Sequence, residues 1–339
     1  MPNCILYNDD QIAARFEYAQ GMIRAYEPVR GELLPMQIRA TSADGFTGWI
    51  RERAIDLNTV QHRNLVSELL GSRDKVHLAL MTHMFSISDT FTCFDEGEFT
   101  PRRQLCDPKA HEAVSDYILL TSDTSVRKVL PITPNVSTDG SFTKTWKYED
   151  GEWWLYKLQS SEATRSEVEI SRVLRDCGWD AAEYRYVGSY RKRIKSRNFL
   201  GEDEFFEPYD SFRYAFSDIS EDDDIVMANL SSLGEAYRSA WKRILLADAL
   251  FLNGDRHMRN FGVIRSARTG EVLRLAPNFD NNQAFHGNPS GRYSAAMLRL
   301  YWKTADDEDR ENLRQLLAAC EKNRYLAEAW QAGTEILNT

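Results

Sequence analysis

The stretch NGDRHMRNFGV, residues 253–263, comes directly after the longest apolar helical pattern of the chain and sets Asp255 and Asn260 five positions apart. Asn-Gly and Gly-Asp are ordinary turn formers, so a solvated turn is the simplest reading of the stretch alone. The residues downstream argue for more. VIRS (263–266), a turn at 268–270 and VLRLAP (272–277) read as a small hairpin, which delivers Asp280 in NFD (278–280). An aspartate, an asparagine five residues on and a second aspartate past a hairpin supply one carboxylate to orient a hydroxyl. They also supply two oxygen ligands, Asn260 and Asp280, for Mg2+, which favours hard oxygen donors and keeps several waters.

Phosphoryl transfer also needs a cradle for phosphates, a lysine to pin them and a carboxylate to orient that lysine. FTKTWKYED (142–150) and EWWLYKL (152–158), joined at Asp150-Gly151, read as a β-hairpin. Just before it, Thr138-Asp139-Gly140-Ser141 offers a backbone that can approach phosphates, because Gly140 has no Cβ. Lys144 lies on the first strand. Lys157 ends the second, where an apolar stem is buried and an ammonium is sent to a cleft. RSEVEISRVLRDCGW (165–179) is an amphipathic helix ended by Gly178, and its Glu167 is the candidate partner of Lys157, with Glu162 and Glu169 as competitors. Strands are expected at 182–190 and 191–200. Beyond 200 the chain reads as mostly helical, with one long helix over 231–252 and a helical tail from Tyr293. Asp248, on the apolar side of that helix, is expected to brace the loop after it. His257 is expected to pack beneath that loop against a backbone carbonyl.

These motifs resemble the HipA-like kinases, whose loop has the form G-D-x-H-x-x-N; GDRH is also similar, more distantly, to the loop of phosphatidylinositol kinases. The resemblance spans roughly residues 130–300. It implies an α+β, two-lobed protein-kinase-like fold with a small β-rich N-lobe and a mainly helical C-lobe. By motif position Asp255 would be the catalytic aspartate, Asn260 and Asp280 the magnesium ligands, and Lys157 with Glu167 the phosphate-holding pair. Gly140, Ser141 and Lys144 would contribute to the nucleotide site, and Arg197, Asn198 and Phe199 would form the hinge. ATP and Mg2+ are the implied cofactors. Family members phosphorylate a serine of their own phosphate loop, which makes Ser137, Thr138 and Ser141 the acceptor candidates. GxGxxG, HRD and DFG motifs are absent, which sets the chain apart from ordinary eukaryotic-type protein kinases.

The expected organisation is an N-terminal accessory region (1–125), a kinase N-lobe (126–200) and a helical C-lobe (201–339). Residues 1–125 mix helical and irregular pattern, with a helix over 50–70 and an extended segment at 85–94. They do not obviously match the domain through which HipA toxins meet an antitoxin, so an antitoxin-like or regulatory partner stays an open expectation. With 42 basic against 51 acidic residues and a formal net charge of −9, direct nucleic-acid binding is disfavoured. Five scattered cysteines without a CxxC pair point to reduced thiols, hence a cytoplasmic setting, and no apolar run suits a membrane span. The expected acceptor is a protein serine or threonine. A small-molecule or lipid kinase, or a catalytically silent kinase-shaped regulatory protein, are the alternatives.

Overall fold

The computed structural model describes residues 3–54, 63–64, 74–105, 108–120, 134–137, 142–188, 192–285 and 294–338. Three antiparallel sheets organise them, in the orders β3-β2-β1-β4, β5-β6-β8-β7 and β11-β10-β9. The first comprises β1 (Asn3–Asn8), β2 (Gln11–Ala19), β3 (Met22–Pro28) and β4 (Phe91–Asp95). This corrects the expectation of a helical and irregular N-terminal region. Strand β1 is buried on both faces: Cys4 and Leu6 enter one apolar core, and Ile5 and Tyr7 another. Such a strand loses the alternation by which strands are recognised. Of the helix expected over 50–70, residues 50–53 form the end of the helix Ala43–Arg53, and most of the remainder lies outside the described residues.

The second sheet is the small lobe: β5 (Thr143–Glu149), β6 (Glu152–Leu158), β7 (Tyr184–Tyr186) and β8 (Arg193–Arg197). Asp150 and Gly151 both take positive φ, 53° and 85°, as a two-residue hairpin turn with the strands' own twist requires. The helix Ser161–Asp176 begins where the Ser160 side chain accepts the Ala163 N–H at 3.1 Å. It buries Val168, Ile170, Val173 and Leu174.

The third sheet belongs to the helical lobe. It joins β9 (Glu204–Pro208) to the hairpin β10 (Gly262–Ser266) and β11 (Val272–Leu275). The single long helix expected over 231–252 is two helices, Asp223–Ser232 and Glu235–Phe251, separated at Gly234, whose φ of 131° no helix accommodates. Around Glu235–Phe251 pack the helices Ala296–Trp302, Asp307–Cys320 and Ala327–Leu337, sharing one core with Ile170, Val173 and Leu174 of the small lobe.

Arg265 fixes the N-terminal region to this lobe. Fully buried, it pairs with Glu207 and donates to the carbonyls of Leu34 (2.9 Å), Glu32 (2.7 Å) and Gly270 (2.9 Å). Glu207 in turn accepts from Ser211 Oγ at 2.6 Å and from the Met36 backbone N–H. Gly270 is obligatory here, since a Cβ would lie 1.8 Å from the Glu32 carbonyl oxygen. Arg265→Ala leaves a buried carboxylate unpaired and is expected to cost about 3–5 kcal/mol in urea denaturation. Arg268→Ala, which removes the exposed pair with Asp203, should cost no more than about 1 kcal/mol.

Candidate active site

A cleft of about 630 Å3 opens between the small and helical lobes. That is within the size range of small-molecule sites. Lys157, at the end of β6, sends its ammonium into the cleft wall. It donates to Glu167 Oε1 at 2.6 Å and to Asp280 Oδ1 at 2.8 Å. Glu167 is fully buried, and Gln159 Nε2 donates to its other oxygen. Of the three glutamates considered for this role, Glu167 is the one that reaches the lysine. The second carboxylate, Asp280, was not foreseen as a lysine partner.

These charges set one another's protonation. Burial would lower the Lys157 pKa, but the charges of Asp280 and Glu167 outweigh it and hold the ammonium well above its ordinary range. Burial would raise Asp280; the adjacent Lys157, with Lys144 and Arg256 further off, overcomes it and holds the carboxyl well below the usual range. Glu167 is pushed up by burial, with Lys157 opposing.

Asp255, Asn260 and Asp280 line this one cleft together with Lys157. Their loops are held from behind by the buried Arg256. Its guanidinium donates to Asp248 Oδ2 (2.8 Å) and Oδ1 (2.9 Å), to the carbonyls of Asn260 (2.9 Å) and Phe279 (2.6 Å), and to Asn281 Oδ1 (3.0 Å). Asp248 therefore braces the loop through Arg256, and it also accepts from Asn253 Nδ2 at 3.0 Å. His257 does otherwise than expected. It is exposed, and its Nδ1 accepts the Arg259 backbone N–H at 3.2 Å, tightening the turn instead of packing beneath it.

The donor set suits a small hard cation. Asn260 Nδ2 donates to the Asp255 carbonyl at 2.9 Å, which leaves its amide oxygen free of that bond. Asn282 Nδ2 donates to Asp280 Oδ1 at 3.1 Å, while its own oxygen, buried in the cleft wall, has no partner among the described residues. Carboxylate and amide oxygens without a sulfur or imidazole donor match Mg2+ better than zinc. Among the described residues no three or more His, Cys, Asp or Glu side chains gather into a metal site, so such an ion would rely on amide oxygens, substrate and water.

The remaining candidates are distributed around this centre. Lys144 lies directly across from Lys157 in the β5–β6 register and lines the cleft. Arg197, Asn198 and Phe199 edge it where β8 leaves the small lobe. Arg197 pairs with Glu152 at an exposed position, and the Asn198 N–H donates to the Trp153 carbonyl at 2.8 Å. Phe199 packs against Phe279 (5.8 Å) and Phe206 (6.2 Å). Gly140, Ser141 and Thr138 lie outside the described residues; Ser137 ends a short turn, Pro134–Ser137.

Sequence reading missed an entire wall. Trp49, Arg53, Asp89 and Phe91 of the N-terminal region line the same cleft. The Arg53 guanidinium pairs with Asp89 and lies 4.7 Å from the Trp49 ring centroid. No spacing links residues 36 positions apart, so only the folded sheet shows this. Tyr184, whose hydroxyl accepts the Asp280 N–H at 3.2 Å, was likewise passed over. Asn282 had a readable signal, as part of the run NFDNN.

No family model and no curated protein matches the sequence. Solved structures do match the fold. The HipA of the Shewanella oneidensis toxin–antitoxin system, in its complex with HipB and operator DNA, aligns over 99% of this chain and 96% of its own, with a TM-score of 0.62 and 14% identity. The Helicobacter pylori proinflammatory kinase CtkA aligns over 59% of this chain and 88% of its own, with a TM-score of 0.45 and 12% identity. The chain thus has the two-lobed, kinase-like fold of HipA, N-terminal region included.

Lys157→Met removes the only cation bonded to Glu167 among the described residues, and this changes how stability depends on pH. In the native cluster the contribution of Asp280, whose folded pKa is depressed, is present above its unfolded value of about 3.9 and lost as pH falls below it. The contribution of Lys157, raised in the fold, is present below about 10.4 and lost as pH rises past its folded value. Between pH 5 and 8 these two leave stability flat, whereas Glu167, raised in the fold, makes it fall as pH rises. In Lys157→Met the charge that opposes this rise is gone, so the fall from pH 5 to 8 should steepen. Urea titrations at three pH values check this, and Lys157→Met/Glu167→Gln should give a flat profile.

Proposed function

We propose that this chain is an ATP- and Mg2+-dependent phosphotransferase, and that it acts as a HipA-like serine/threonine kinase able to phosphorylate itself. The observation that carries the proposal is the Lys157 ammonium, bonded to Glu167 and Asp280 in a cleft that also presents Asp255 and Asn260. Lys157 would bind phosphate oxygens, with Glu167 fixing its direction. Asp255, exposed on its braced loop, would orient the acceptor hydroxyl and take its proton. Asn260 and Asp280 would hold Mg2+, with Asn282 adjacent. The ion, when bound, neutralises charge on the phosphates. Lys144 and the segment Arg197–Phe199 would complete the nucleotide site, with Gly140 and Ser141 as the phosphate cradle.

One observation favours a second reading, a small-molecule kinase. The cleft is lined in part by Trp49, Arg53, Asp89 and Phe91, which add specific polar and aromatic groups to its wall. A cytoplasmic setting belongs to the same proposal and agrees with the free thiols of Cys4, Cys93, Cys177 and Cys320. A regulatory partner at the N-terminal region remains part of it as well. The aligned HipA was captured with HipB and operator DNA.

The test is incubation of pure protein with labelled ATP and Mg2+, then mapping of modified residues by mass spectrometry. Label on Ser137, Thr138 or Ser141 is expected. Asp255→Asn should lower transfer by about 10²–10⁴-fold while leaving ATP affinity within a few-fold. Undiminished transfer by Asp255→Asn would refute the assignment.

A further inference from the structure

Asp280 takes a φ of 60°, in the left-handed region. A residue with a Cβ stays there only where its surroundings fix it, and such positions gather at active sites. Its carboxylate is held by two donors: Oδ1 accepts from Lys157 Nζ at 2.8 Å and from Asn282 Nδ2 at 3.1 Å. The peptide unit joining Phe279 to Asp280 is held at both ends. Its carbonyl accepts from Arg256 at 2.6 Å, and its N–H has one acceptor among the described residues, the Tyr184 hydroxyl at 3.2 Å. Tyr184 belongs to β7, so this bond crosses from the small lobe to the helical one, as the Lys157 bond does.

The Tyr184 side chain is itself well placed to hold something still. It is only 7% exposed and packs in one cluster with Val168, Ala182 and Ile194. Its ring faces the other charged partner: Lys157 Nζ lies 5.4 Å from the ring centroid, within the range at which a ring attracts an ammonium. One residue of the cleft wall therefore meets Lys157 through its ring and Asp280 through its hydroxyl. We propose that Tyr184 is a positioning residue, whose hydroxyl holds the backbone of Asp280 so that the carboxylate is already placed when Mg2+ binds. This rests on the phosphotransferase reading. Tyr184→Phe keeps the ring, its packing and its face toward Lys157, and removes the hydroxyl alone.

The test is the affinity of ATP with and without Mg2+, by calorimetry, in the native chain and in Tyr184→Phe. Mg2+ should strengthen ATP binding to the native chain. In Tyr184→Phe this gain should shrink about two- to tenfold, the effect of one hydrogen bond, while metal-free binding is kept. Native-state hydrogen exchange followed by NMR reads the same bond without nucleotide: the Asp280 amide should exchange faster in Tyr184→Phe, with the amides of β6 unchanged. Urea denaturation checks that the variant is folded. A native chain whose ATP affinity ignores Mg2+ sinks the phosphotransferase reading, and this proposal with it. A gain present in the native chain and undiminished in Tyr184→Phe, or Asp280 exchange that does not change, overturns the role of Tyr184 alone. Equal losses with and without Mg2+ mark a merely structural side chain and overturn it too.

Discussion

Lys157 is the point on which the two lobes agree. Its ammonium is brought in from β6, one of its carboxylates from the helix behind that strand and the other from the far lobe. A charge in so little water is tolerable only when it is both paired and hydrogen-bonded. The lobes therefore cannot move apart at this point without exposing or orphaning one of three charges. Two further buried arginines extend the same logic. Arg256 ties the end of the helix Glu235–Phe251 to the loops bearing Asn260 and Asp280. Arg265 ties the third sheet to the N-terminal region. A lysine and two arginines thus fix the parts of the cleft relative to one another, and the apolar cores supply the bulk of the burial.

The two arginines also explain what sequence could and could not convey. The hairpin β5–β6 was legible because Asp150-Gly151 names its own turn between two runs rich in aromatic and β-branched residues. That Lys157, Glu167, Asp255, Asn260 and Asp280 come together was expected because their order along the chain follows the order of parts that phosphoryl transfer needs, and the folded chain does gather them at one cleft. Arg256 and Arg265 were not legible. In the sequence each is one basic residue among many, and only burial shows that it is bonded on every side. Glu207 was hidden in the same way, as one acidic residue among 51. Strand β1 escaped because both its faces are covered, and the break at Gly234 escaped because the apolar pattern runs on across it.

The N-terminal region is more than an appendage. Trp49, Arg53, Asp89 and Phe91 reach the cleft because β4 and the helix Ala43–Arg53 pack on β9 through Phe91 and Phe205, whose rings are 5.3 Å apart. The cleft is a composite of three sheets, and whatever enters it meets the N-terminal region as well as the two lobes. The solved HipA aligns over nearly the whole chain, so the N-terminal region falls within the part of the fold that the two share.

The central claim is that Lys157, Asp280 and Asn260 face one nucleotide and its metal ion. Its most direct test is the affinity of ATP measured with and without Mg2+, in the native chain and in Asp280→Asn. The account predicts that Mg2+ strengthens ATP binding to the native chain and that this gain disappears in Asp280→Asn, while metal-free binding persists. A gain of equal size in both proteins would contradict it.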